Sequence, residues 1–499
     1  MPKRYLNVVS TAGILVVALC MLYGYQNIQS DDCYIFYSYA KNIAEGHGYV
    51  FNAGERVNAT TSPLYTLLLA LSYRVFRFLP GLTIPLLGHI IGAVSLFFAG
   101  VFLMRSFRTK TDSLFPWALP LIFLANPALL GAIGMELFLA MALATGCLAF
   151  YNGNRRRTAA LFCALAVLGR IDMLLFAGVL VAYDLIRYRR LPTIGMAAAF
   201  VLPIAAWLIF SWVYFGNLLP STVAAKLAQT EAGLWGEGPV FLKGLFSGAL
   251  LCDRVSSNRE IVPIVLLLLI AGAIAAAAGF LLALTRLRTW PVLRHPILQL
   301  ILLWNVAYII VYGIVIDAPA YSWYYTPLAL GMSLLMTVPF AGPRDGLPAR
   351  PATRSPLVPV GILFALVVVA VILPLANARM PVTPRHETHR QAAEWLNANV
   401  ADGTSVGAND IGVFRFYYEK GPIIDGGGLV TPDVIDHLRR CDYSWYIRQY
   451  QPAYLMFIHP PRSLVETMAR EDWFQSEYAM ETTIGRHNNA VSIWKRRDP

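Results

Sequence analysis

Hydrophobic positions in this 499-residue chain do not alternate with polar ones; they gather into long runs broken by short polar connections. The runs cover residues 8–25, 83–106, 114–132, 135–152, 157–170, 173–188, 194–214, 261–286, 296–316, 325–341 and 356–376. A bilayer asks roughly 17 to 25 apolar residues of a spanning helix, so the pattern predicts about eleven transmembrane helices. The first run follows Lys3 and Arg4 without a small-residue cleavage site, which marks a retained span rather than a removed signal peptide. A further apolar segment, SPLYTLLLALSYRVF (62–76), is short and ends with Arg74, followed by Arg77. It is expected to be a re-entrant or interfacial helix on the outer side. Were it a full span, every later loop would invert and RSFRTK would face outward; the alternative, that it spans and a later weak segment does not, is disfavoured by the charge pattern.

That charge pattern is regular. With the N-terminus inside, Lys and Arg should collect after even-numbered spans. They do so in RSFRTK (105–110), NRRR (154–157), RYRR (187–190), TRLR (285–288) and PRDGLPARPATR (343–354). An odd span count then places the C-terminal segment outside, in the company of the first loop. The expected organisation is a transmembrane domain over 1–376, with a first outer loop at 26–82, and a periplasmic domain over 377–499. RQAAEWLNANV (390–400) has helical spacing, whereas SVGA, GPII, AYLMFI and AVSIW read as short buried strands. The fold class is therefore a polytopic α-helical membrane protein with a soluble α/β domain at its C-terminus.

Composition agrees. Hydrophobic residues make up 57% of the chain and charged ones 14%, against roughly 25% charged in soluble proteins. The net charge of +11 sits beside the spans, so it speaks for a lipid bilayer as partner and against nucleic acid. Six cysteines are too scattered for a disulfide framework and show no metal spacing. Cys20, Cys147 and Cys163 lie within apolar runs, while Cys33, Cys252 and Cys441 would share the outer side, where a pair could be oxidised.

Polar residues converge on the outer ends of the spans. The first loop carries the adjacent carboxylates Asp31 and Asp32; GMELF carries Glu136; GRIDM carries Arg170 and Asp172. YFGNLLPSTVAAKLA supplies Asn217, Thr222 and Lys226, and DAPAYSWYYTP supplies Trp323 and Tyr324. Ionisable residues at membrane depth are costly and usually line a cavity or path, so these groups predict an outer-leaflet cavity. Plainer roles stand beside that one. Arg170 and Asp172 could form a local ion pair, Glu136 and Asp32 could favour helix N-termini, and Trp323 and Tyr324 could belong to an aromatic belt. A lipid-phosphate sugar suits such a cavity, with Lys226 or Arg170 holding the phosphate. One aspartate would act as general base on an acceptor hydroxyl, and phosphate leaves without a general acid.

The order of these motifs resembles the GT-C superfamily of membrane glycosyltransferases that use polyprenyl-phosphate sugars, and most of all its bacterial terminal arabinofuranosyltransferases. The likeness spans nearly the whole chain and is strongest over residues 31–64. It implies that Asp31 and Asp32 supply the catalytic base and that a divalent cation (Mg, Mn or Ca) is a candidate cofactor, with Asp32 its candidate ligand. It also implies a polyprenyl-phosphate sugar donor, arabinofuranose being the sugar favoured. The acceptor would be an envelope polysaccharide, glycolipid or protein, and the location a bacterial cytoplasmic membrane. Competing readings are a flippase of lipid-linked sugar and a polymerase or ligase using a diphosphate-linked donor.

Overall fold

The long apolar runs fold as helices, because in hydrocarbon each backbone N–H and C=O must find its partner within its own segment. The structure, a computed structural model, describes residues 3–27, 29–107, 114–236, 238–246, 262–286, 291–340, 371–372, 374–375, 378, 382–461, 464–486 and 489–497. Helices occupy Lys3–Gly24, Ile84–Ser106, Leu137–Asn152, Arg156–Gly169, Met173–Tyr188, Ile194–Phe215, Val262–Arg286 and Pro296–Ile310. Among the described residues, Arg4–Gly24, Ile84–Ser106, Ile194–Phe215 and Pro296–Val315 are long and apolar enough to cross a membrane. The expected span at 356–376 lies almost wholly outside the described residues, as do Cys252 and the basic segment 343–354.

The run at 114–132 is not one continuous helix. It forms a helix over Phe115–Leu124 and a 3-10 turn over Pro127–Ala132. Asn126 occupies the break: its Oδ1 accepts from the Ala128 N–H at 3.0 Å, and its Nδ2 donates to Ser333 Oγ at 3.0 Å. Pro127 has no N–H to continue the ladder, so the side-chain bonds of Asn126 replace backbone ones. The segment at 62–76 is helical over Pro63–Phe76, 14 residues. At 1.5 Å per residue it is only about 21 Å long, short of the ~30 Å hydrocarbon core.

The chain divides into two compact units. The first comprises Met1–Asn27, His89–Ala206 and Pro239–Met380; the second comprises Ile28–Gly88, Trp207–Gly238 and Pro381–Pro499. Within the second unit a five-stranded sheet is built from β1 (Val406–Ala408), β2 (Ile423–Asp425), β3 (Tyr454–Ile458), β4 (Tyr478–Ile484) and β5 (Val491–Arg496). Its order is β2-β1-β3-β5-β4. β1 is parallel to both β2 and β3, while β5 runs antiparallel between β3 and β4. Four strands fall where the buried apolar runs were read. β4 carries the outward polar pattern of an edge strand, including Glu481 and Thr483, and no apolar run announces it.

The sheet does not bury its apolar face alone. Val406, Ala408, Ile423 and Met456 share one core with Ile35, Tyr39, Tyr49 and Phe51 of the first loop and with Ala392, Ala393 and Leu396. The latter three come from the helix Pro384–Asn399, which begins with proline at its first position and so reaches six residues further back than the apolar spacing indicated. A second core joins Ala225 and Ala228 to Leu438, Leu455, Phe457 and Trp494. Segments far apart in sequence therefore meet around one sheet.

Candidate active site

Asp31 opens the helix Asp31–Glu45, whose other end is stopped by Gly46 at φ 92°. Only a residue without Cβ takes that left-handed conformation at no steric cost. Asp31 does not cap its own helix. Its Oδ2 accepts from the Gly412 N–H at 2.9 Å and its Oδ1 from the Val413 N–H at 2.8 Å. Glycine is required at 412, because a Cβ there would stand 2.0 Å from the Asp31 carbonyl oxygen. His389, 1% exposed at its side chain, places Nδ1 at 4.0 Å from Asp31 Oδ1 and Nε2 at 3.9 Å from Asp410 Oδ2. Its Nδ1 has no hydrogen-bond partner among the described residues. Asp410 is ion-paired with Arg385.

These surroundings drive the two carboxylates apart. Burial pushes Asp31 up to about 7; the Asp410 charge adds to the rise, and the two N–H bonds oppose it. Burial would raise Asp410 as well, but Arg385, followed by His389, outweighs it and holds this carboxyl below its ordinary value. Burial also lowers His389 to about 4, with Asp410 opposing the fall, so the imidazole is neutral near pH 7. One acid is thus kept ionised while its neighbour titrates near neutrality, the pattern that separates an electrostatic partner from a base. Asp31 keeps 24% of its side-chain exposure and remains open to reagents.

Asp32 points elsewhere: its Oδ2 accepts from Lys226 Nζ at 3.1 Å. Lys226 belongs to the helix Ser221–Glu231, which is anchored by Thr222 Oγ1 donating to the Ala59 carbonyl at 2.6 Å. Thr222 thus serves the backbone. Asn217 is exposed, and its carbonyl accepts from Ser211 Oγ at 2.6 Å. Asp31, Asp32, Lys226, Asn217 and Thr222 all belong to the second unit.

The remaining candidates cluster in the first unit. Arg170 bridges two carboxylates, with Nη1 at 2.5 Å from Glu136 Oε1 and Nε at 2.7 Å from Asp172 Oδ2. Tyr312 donates to the same Asp172 oxygen at 2.8 Å. Tyr324 presents its ring to the guanidinium at 5.4 Å, and Trp323 stacks on Tyr321 at 4.4 Å. Arg170 is therefore already neutralised by the ion pair that its spacing from Asp172 suggested, with Glu136 as a second partner that lies 34 residues away.

Comparisons with known proteins bear on the whole chain. A family model described as a domain of unknown function, DUF8728, matches residues 377–494. No curated protein matches at a significant level. Among solved structures, ArnT from Cupriavidus metallidurans bound to undecaprenyl phosphate is similar at 14% identity and a TM-score of 0.57, over 99% of this chain and 98% of that one. The arabinofuranosyltransferase AftD from mycobacteria is similar at 15% identity and a TM-score of 0.53, over 100% of this chain but 40% of AftD. The Archaeoglobus fulgidus oligosaccharyltransferase in complex with Zn and sulfate matches at 13% identity and a TM-score of 0.51, over 89% of this chain and 68% of that one. The fold resembles that of the GT-C glycosyltransferases. The likeness read from the first loop and the later motifs therefore holds for the architecture.

Within this GT-C-like fold the donor set for a metal is poor. Asp32 is paired with Lys226 and Asp31 is held by two N–H groups. Among the described residues no group of three His, Cys, Asp or Glu side chains could hold an ion. A divalent cation does not fit the site as it stands. Cys33 and Cys441 are thiols, not joined to each other. Sequence reading missed Arg385, His389 and Asp410. A signal existed for Asp410, which lies just beyond the buried strand β1, since sites in open α/β sheets lie outside the carboxyl ends of strands. Nothing local marks His389 as its neighbour.

Proposed function

We propose that the protein is a membrane glycosyltransferase that moves a sugar from a polyprenyl-phosphate donor to an acceptor hydroxyl on the outer side of a bacterial cytoplasmic membrane. The observation that carries this reading is Asp31, a partly exposed carboxylate raised to about 7 beside an ionised Asp410. A general base works best when its pKa lies near the operating pH. In the reaction the acceptor O–H proton passes to Asp31 while the acceptor oxygen bonds to the anomeric carbon. The bond from that carbon to the phosphate oxygen breaks, and polyprenyl phosphate leaves as an anion. Asp410, locked by Arg385, favours the proton on Asp31, and neutral His389 fills the space between the two carboxylates, 4.0 and 3.9 Å away. Both act through Asp31 and are positioning residues.

Lys226 is the cation assigned to the donor phosphate, exchanging its contact with Asp32 for the phosphate oxygens. ArnT, similar in fold, has been solved with undecaprenyl phosphate, which supports a lipid monophosphate donor. The likeness to AftD supports arabinofuranose as the sugar. The test is product analysis: purified protein given a polyprenyl-phosphate sugar and envelope glycans should release polyprenyl monophosphate and extend the glycan. Release of a diphosphate, or movement of intact donor across vesicles without cleavage, would replace this reading with a polymerase or a flippase.

A further inference from the structure

Two cavities in the second unit lie along the helix that begins at Asp31, and the mechanism above uses neither. The first, of about 320 Å³, is lined by Tyr34, His386, Glu387, Arg390, Val413 and Tyr417. It adjoins the base, since the Val413 N–H donates to Asp31 and Tyr34 lies one helical turn beyond it. The second, of about 380 Å³, is lined by Ser38, Lys41, Asn42, Glu45, Arg415 and Glu419. Phe416, which also lines the second cavity, packs on Tyr34 at 5.4 Å and on Tyr417 at 5.1 Å. The aromatic ring of Phe416 thus joins the lining of the second cavity to Tyr34 and Tyr417 of the first. Tyr34, Ser38, Lys41 and Glu45 recur at spacings of three and four, so they form one stripe on the helix. From Tyr34 to Glu45 that stripe runs about 16 Å.

The lining selects the ligand. In the first cavity the guanidinium of Arg390 is held in a fork by Glu387, at 2.7 and 3.1 Å. Donors and acceptors are thus set in one plane beside two tyrosine rings. In the second, Lys41 is paired with Glu419 at 2.8 Å, and Arg415 is tied to the carbonyls of Phe51 at 3.2 Å and Tyr418 at 2.5 Å. Charges of both signs accompany each other throughout, so neither an anionic headgroup nor a cation meets a surplus of opposite charge. A lipid tail would strip the remaining water from these charged pairs and offer no hydrogen bond in return. A neutral chain of sugars satisfies both demands, with C–H faces for the rings and hydroxyls for the paired charges.

We propose that the two cavities form a groove for a neutral oligosaccharide, so that the acceptor is an extended glycan whose end hydroxyl reaches Asp31. This rests on the glycosyltransferase reading and adds the class of acceptor to it. The test uses the full-length protein in detergent and a panel of arabinan, mannan and glucan fragments of one to six sugars, with binding measured by saturation-transfer NMR and native mass spectrometry. Affinity for at least one series should rise with chain length. Tyr417→Ala should weaken every length by roughly three- to tenfold, with Tyr417→Phe restoring it. Lys41→Ala should weaken only the longer fragments, by roughly threefold. Binding independent of length, or unchanged in both alanine variants at unchanged thermal stability, would overturn the groove. Asp31→Asn separates the two readings, because its transfer activity tests the base while fragment binding tests the groove alone.

Discussion

Replacing Asp31 with Asn yields two measurements of opposite sign. The carboxyl is displaced from its ordinary value of 3.8 to about 7, so the folded protein binds that proton more tightly than the unfolded chain does. Between about pH 4 and 7 the folded state holds the extra proton, and stability falls as pH rises through that window. At ~1.4 kcal/mol per unit the cost of an ionised Asp31 is a few kcal/mol, lessened by solvent reaching 24% of the side chain. Asn removes that cost, but its one carbonyl oxygen accepts from only one of the Gly412 and Val413 N–H groups and leaves the other without its acceptor, a loss of about 1–3 kcal/mol on either side of that window. The change in stability caused by the substitution should therefore be about 2 kcal/mol more favourable at pH 8 than at pH 5. Activity moves the other way. Loss of general-base catalysis should lower turnover by about 10²- to 10⁴-fold, and wild-type activity should itself decline below pH 7. The assays are transfer of labelled sugar at saturating donor and thermal unfolding in detergent across pH 5 to 8. Near-wild-type turnover would remove Asp31 as the base. Equal destabilisation at both pH values, with activity lost, would make it a structural cap for the backbone at 412–413.

Other outcomes are expected. Lys226→Ala should raise the apparent KM for polyprenyl-phosphate sugar by roughly 10- to 150-fold, the worth of a charge-assisted hydrogen bond, with little change in kcat; steady-state kinetics over donor concentration decide it. Arg170→Met should leave Glu136 and Asp172 buried without their counter-charge and cost about 3–5 kcal/mol, read as a large fall in the unfolding midpoint, whereas Tyr312→Phe should cost only about 1 kcal/mol. Reporters fused after Arg157 or Arg190 should be cytoplasmic and one fused after Pro499 periplasmic, as the basic loops require; a cytoplasmic C-terminus would overturn that orientation.

The sequence by itself determined whatever depends on a residue's neighbours along the chain. Apolar runs set the helices, because hydrocarbon leaves the backbone no other partner, and buried runs such as AYLMFI set four strands of the sheet. The pairing of Arg170 with Asp172 was legible for the same reason, as the two are separated by one residue. Adjacent carboxylates just after the first apolar run made Asp31 conspicuous without any structure. What Asp31 can do, however, depends on groups more than 350 residues away in the chain. His389 and Asp410 become its neighbours only because the first loop and the sheet share a core, in which Tyr39 and Phe51 pack with Val406 and Leu396. Edge strand β4 was hidden because its outward residues are polar. The break at Asn126 was hidden because the apolar run continues through it. Local propensity and burial are written along the chain, whereas electrostatic environment is the sum of charges brought close by packing, and only the tertiary structure decides which those are.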